Sequence, residues 1–129
     1  MNIHHVAIWS KNIEELSTFY NKYFNAIVGQ RYVNIKKGFN SYFLKFENGT
    51  SLELMEMKSI PENKNNIDEQ YLGIIHIAIS VGSKENVDKK TEQLRNDGYQ
   101  IVSEPRWTGD GYYESCIFDS EKNRIEVTI

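Results

Sequence analysis

Apolar and polar residues alternate along "IHHVAIWS", Ile3 to Ser10, as they do in a strand with one covered face. His5, Ala7 and Trp9 fall on one side and His4, Val6 and Ile8 on the other. The period then lengthens. Across "KNIEELSTFYNKYF" the apolar residues Ile13, Leu16, Phe19, Tyr20, Tyr23 and Phe24 return at helical spacing, and Asn12 with Glu15 three residues later reads as a capping box. Three strand-like runs follow: "AIVGQRYVNI", then "SYFLKFE" after the turn signal "KKGFN", then "SLELMEM" after "NGT", where Asn48-Gly49 favours a tight hairpin. From Lys58 to about Tyr71 the chain is polar, contains Pro61 and has no clear period, so it reads as a linker.

The plan then repeats. "GIIHIAISV" reads as a strand, and "SKENVDKKTEQLRNDG" as a helix that Ser83 caps and Gly98 ends, with Val87 and Leu94 on its inner face. "YQIVSEP", "GYYESCIFD" and "NRIEVTI" are three further strands, the last two joined by the turn "SEKN". The expected organisation is therefore two βαβββ modules, residues 1–57 and 73–129, joined by a linker over 58–72. "HVAI" from His5 aligns with "HIAI" from His76, and "FENGTSLEL" aligns with "FDSEKNRIEV" when the second turn is one residue longer. In this alignment His5 matches His76 and Glu53 matches Glu126.

Period-two alternation sets each of these four residues opposite an aliphatic face: Val6 and Ile8, Leu52 and Leu54, Ile75, Ile77 and Ile79, and Ile125, Val127 and Ile129. A single strand histidine is usually a packed or surface residue. Four polar residues at repeat-equivalent positions are a different matter, because two imidazoles and two carboxylates make a metal-binding set. Four N/O ligands leave an octahedral ion two open positions, which suits nickel, cobalt or zinc and a substrate with two adjacent oxygens. His4 falls on the opposite face from His5 and is expected at a rim or in the core, Glu56 is out of phase with Glu53 and is expected in solvent, and Glu114 fits either reading.

Composition limits what such a set serves. The chain has 129 residues, 40% of them hydrophobic, enough for a packed core, and its net charge of -3 comes from 15 basic and 18 acidic residues interspersed along it. That pattern is no footprint for nucleic acid or an anionic membrane. One cysteine, Cys116, excludes an intrachain disulfide and reads as packing rather than a nucleophile. "MNIHHVAIW" lacks the marks of a signal peptide and no apolar run reaches the roughly 20 residues of a membrane span, so a soluble cytoplasmic protein is expected.

"HHVAIWSKNIEELSTFYNKYF", "LELM", "IHIAI" and "GYYESCIFDSEKNRIEV" together resemble the vicinal oxygen chelate superfamily over nearly the whole chain. The resemblance implies an α+β fold in which paired βαβββ modules form a cupped mixed sheet with helices on the outer face, around one divalent metal ion. The ligand order His, Glu, His, Glu is similar to that of the glyoxalase I branch and matches His5, Glu53, His76 and Glu126. The activity so implied is that of a lactoylglutathione lyase. It converts the hemithioacetal of methylglyoxal and glutathione to S-lactoylglutathione through an enediolate, with Glu126 or Glu53 as the base and Glu126 preferred. The family also implies a homodimer. Two alternatives keep the fold: a metalloenzyme acting on another vicinal-oxygen substrate as an epimerase or thiol transferase, and a non-catalytic protein that binds a small drug-like molecule.

Candidates for substrate binding come from position and type. Trp9 shares the His5 face of its strand, and "PRWTGDGYY" brings Trp107, Tyr112 and Tyr113 as cavity-lining aromatics. Arg31 and Arg106 are candidate clamps for substrate carboxylates.

Overall fold

The structure is a computed structural model and describes residues 3–47 and 49–129. Its first strand, β1 (His5–Ser10), leads into α1 (Ile13–Phe24) through Asn12, whose side-chain oxygen accepts the Glu15 backbone N–H at 3.1 Å. The reciprocal half of the capping box is altered. Glu15 accepts from the Asn12 side-chain amide at 3.3 Å, because the Asn12 backbone N–H already donates to Ser10 Oγ at 3.0 Å. α1 ends at Asn25, which takes the left-handed conformation common after a helix, with φ 55°.

Four strands follow: β2 (Ile27–Val28), β3 (Tyr32–Asn34), β4 (Phe39–Lys45) and β5 (Ser51–Met57). The run expected as one strand from Ala26 to Ile35 is thus two short strands, both antiparallel to β4. The break comes at Gly29, whose N–H donates to Phe43 O at 2.8 Å. A Cβ at Gly29 would lie 3.0 Å from that same oxygen, so this close approach of two backbones needs glycine. The sheet order is β1-β5-β4-β2, with β3 also on β4. Of the expected Asn48-Gly49 turn, Asn48 lies outside the described residues, and Gly49 has φ 89° with its N–H donating to Phe46 O at 3.0 Å.

The chain divides into two compact units between Glu62 and Asn63. In the second, β6 (His76–Ser80) is followed by α2 (Lys84–Asn96), β7 (Ile101–Trp107), β8 (Tyr113–Phe118) and β9 (Arg124–Thr128), in the sheet order β6-β9-β8-β7. Ser83 Oγ accepts the Asn86 N–H at 3.2 Å, and Gly98, at φ 91°, follows the end of α2. β6 is shorter than the apolar run suggested. It is an edge strand, and Ile74 just before it is 82% exposed. β7 runs two residues past Pro105, a residue that an irregular edge strand tolerates.

Each unit places its helix on one sheet face. Ile13, Leu16 and Tyr20 of α1 are fully buried with Leu44 and Leu54, as are Val87 and Leu94 of α2 with Ile117, Ile125 and Val127. Thr91 joins that second core because its hydroxyl donates to Val87 O at 2.7 Å and bonds Ser115 Oγ at 2.6 Å. The residues before the second unit's β6 are also tied down: the Asn63 and Asn65 side chains donate to the carbonyls of Glu121 and Lys122. Among the described residues no helix is long and apolar enough to cross a membrane. Leu54→Ala is expected to lower the unfolding free energy by about 2–5 kcal/mol in urea denaturation, and a loss under about 1 kcal/mol would contradict its place in the core.

Candidate functional site

The first and last strands of each unit are parallel neighbours. β1 pairs with β5 so that His5 lies opposite Ser51, and Glu53 is two residues further along, on the same face. β6 pairs with β9 so that His76 lies opposite Arg124, and Glu126 is again two residues further along. The two registers are equivalent. Each sets an imidazole beside a carboxylate on the face away from the helix: His5 Nε2 is 3.8 Å from Glu53 Oε2, and His76 Nε2 is 3.1 Å from Glu126 Oε2. All four side chains are partly exposed, between 16% and 39%.

The surroundings of the pairs differ. The His5 ring is held by Phe43, edge-on at 5.3 Å, and by His4, whose Nδ1 lies 2.8 Å from His5 Nδ1. His4 was expected on the opposite face of a strand from Ile3, but regular pairing starts only at His5, so strand alternation does not govern the His4 side chain. In the second unit, burial pushes the Glu126 carboxyl above its ordinary pKa; His76 and Arg106 pull it back, and Glu114 and Asp110 push it further up. Cys116, opposite Glu126 on β8, is raised to about 11 by burial and then by the Glu126 charge. It is a poor nucleophile at neutral pH.

The donor types fit a divalent ion. Two N/O donors held at about 2.1 Å from one ion and at right angles stand about 3.0 Å apart, the spacing of His76 and Glu126. The 3.8 Å of His5 and Glu53 is wider than that chelate bite. Among the described residues no three His, Cys, Asp or Glu side chains gather at one point.

The other expected site residues separate by strand parity. Trp9 is on the His5 face, 40% exposed and edge-on to Phe39 at 6.1 Å; Phe39 in turn meets Tyr32 at 6.1 Å. Sequence reasoning did not single out Phe39, Tyr32 or Phe43, although the register puts Phe43 directly opposite Glu53. Arg106 is opposite Glu114, so it shares the Glu126 face; its guanidinium donates to Ser103 Oγ at 2.6 Å. Arg31 is not with the pairs. It binds Glu14 of α1 at 3.0 Å and approaches Glu56 at 3.7 Å, and Tyr42 donates to the same Glu14, which places Arg31 on the helix face. Glu56 also accepts from Asn40 at 3.0 Å, so it is engaged rather than simply solvated. Tyr113 is one residue from Glu114 and faces α2, where its hydroxyl donates to Asp88 at 2.8 Å beneath Lys84. Trp107, opposite Tyr113, packs edge-on against it at 5.2 Å on that same side. Tyr112 belongs to the turn closed by Thr108 and is 53% exposed.

Comparison with known proteins agrees with this architecture. A glyoxalase family protein from Enterococcus faecalis is similar at 23% identity and a TM-score of 0.80, with 99% of this chain and 97% of that one covered. Glyoxalase I from Zea mays matches at 18% identity and a TM-score of 0.78; the match covers 98% of this chain but 43% of the maize chain. The trypanothione-dependent glyoxalase I of Leishmania major matches at 18% identity and a TM-score of 0.77, covering 99% and 86% of the two chains. No curated protein sequence gives a significant match. The profile of the Glyoxalase/Bleomycin resistance protein/Dioxygenase superfamily matches residues 2–127, and with its α+β modules the chain belongs to that superfamily.

Proposed function

We propose that the protein is a metal-dependent lyase of the glyoxalase I type, with His5, Glu53, His76 and Glu126 as the ligand set of one divalent ion per chain: nickel, cobalt or zinc. The observation that carries this is the equivalent register of the two parallel strand pairs, which sets a histidine nitrogen beside a carboxylate oxygen twice. The likeness to glyoxalase I structures supports the branch. The working assembly is proposed to be a homodimer, as the family resemblance implies.

The ion, when bound, acts as a Lewis acid toward adjacent substrate oxygens. The chain's own residues do the rest. His5 and His76 would each hold the ion through a ring nitrogen. Glu126 takes the proton from the carbon beside the substrate carbonyl onto a carboxylate oxygen and returns it to the neighbouring carbon, turning the hemithioacetal of a 2-oxoaldehyde into a thioester. Burial raises the affinity of Glu126 for that proton. Glu53 would serve as a ligand only. Trp9 lines the first unit's face for the apolar part of the substrate, and Arg106 offers a guanidinium to a carboxylate of the thiol, glutathione in the simplest case. Arg31 has no part in this, since Glu14 and Glu56 already engage it. The exposed rings of Trp9 and Tyr32 on either side of half-buried Phe39 favour a second reading, a non-catalytic protein that binds a planar small molecule.

Thioester formation from methylglyoxal and glutathione, followed by ultraviolet absorbance with added nickel, cobalt or zinc, tests the reaction. Turnover that depends on the ion is expected, with kcat at least about 100-fold lower for Glu126→Gln; no turnover with any ion, alongside quenching of tryptophan fluorescence by planar ligands, would favour the second reading. Arg106→Met is expected to raise KM for glutathione adducts with kcat little changed, while Arg31→Met leaves both unchanged. An effect of Arg31→Met on KM equal to that of Arg106→Met would contradict the assignment.

A further inference from the structure

The rings of His4 and His5 meet through their Nδ1 atoms at 2.8 Å, with centroids 5.1 Å apart and planes at 85°. A hydrogen bond needs one donor and one acceptor, and a neutral imidazole has one N–H and one bare nitrogen. Two assignments satisfy it. Either His5 donates from Nδ1 and its Nε2 is bare, or His4 donates and His5 carries its proton on Nε2. A ligating imidazole must present a bare nitrogen, and the bond made by its other nitrogen sets which one that is.

The geometry points to the first assignment. His5 Nε2 faces Glu53 Oε2 at 3.8 Å, beyond hydrogen-bond length, so that carboxylate does not hold a proton on Nε2. Phe43, edge-on at 5.3 Å, packs against the His5 ring in this orientation. We infer that His4 is a positioning residue: it accepts the Nδ1 proton of His5 and thereby keeps the tautomer whose Nε2 is free to bind an ion. This rests on the reading of His5 as a ligand. The device belongs to the first unit only, because the residue before His76 is Ile75, whose side chain cannot accept a hydrogen bond. It also accounts for the doublet of histidines in "IHHVAIWS", of which only the second has a repeat equivalent.

The test uses the metal-free full chain, wild type against His4→Phe, which keeps an aromatic ring but has no acceptor, and His4→Asn, which restores one. Long-range proton–nitrogen NMR at mildly alkaline pH reports the His5 tautomer, and competition with a coloured chelator reports nickel affinity. The expected result is an Nδ1–H ring at His5 in wild type, an Nε2–H ring in His4→Phe with about 10–100-fold weaker nickel binding at an unchanged melting temperature, and partial recovery of both in His4→Asn. An Nε2–H ring at His5 in wild type would overturn the inference. Wild type that takes up no nickel refutes the ligand reading of His5 and the positioning role with it, whereas wild type that binds nickel no more tightly than His4→Phe refutes the positioning role alone.

Discussion

Parallel pairing between the first and last strands of a unit is the constraint on which the site geometry depends. A parallel pair cannot be closed by a tight turn; it needs a long crossover, here the helix and the intervening strands. Once the register is set, side-chain parity follows. With His5 opposite Ser51 and His76 opposite Arg124, a glutamate two residues on must emerge beside the histidine on the face the helix leaves uncovered. A slip of one residue in either pairing would turn its glutamate into the core, where Leu52, Leu54, Ile125 and Val127 are now buried.

The same scaffold gives the two faces different chemistry. Around His5 and Glu53 the neighbours are rings: Phe43, Trp9, Phe39 and Tyr32. Around His76 and Glu126 they are charges and a thiol: Glu114, Arg106, Asp110 and Cys116. Desolvation acts on Glu126 in a field of mixed charge and raises its carboxyl above the ordinary value. The repeat-equivalent His and Glu positions are thus alike in backbone and unlike in their neighbours, and the burial of Glu126 supports the proposal that it carries the proton.

Much of this was legible because it is local. The caps at Asn12 and Ser83, the helical period of α1, and the alternation that pairs His with Glu are all short-range patterns, and the structure follows them. What was not legible depends on partners distant in the chain. Arg31 looked like a free clamp until Glu14, Tyr42 and Glu56 were found around it. Trp107 and Tyr113 looked like cavity aromatics, but the bulges in β7 conceal its parity, and only the pairing with β8 shows that both residues face α2. Alternation puts Arg124 on the Glu126 face; the structure buries it to 6% exposure, its guanidinium over Phe118 and donating to Asn66 O at 2.6 Å. That carbonyl comes from the stretch between the modules, where periodicity carries no information.

The central claim is that two register-equivalent His–Glu pairs serve a single ion. Native mass spectrometry of the chain loaded with nickel measures this directly through the number of ions per chain. One ion is expected for wild type, and none at the same concentration for His5→Ala or His76→Ala, since each removes one of four shared ligands. Two ions per wild-type chain, with one retained in each variant, would show independent sites and contradict the account.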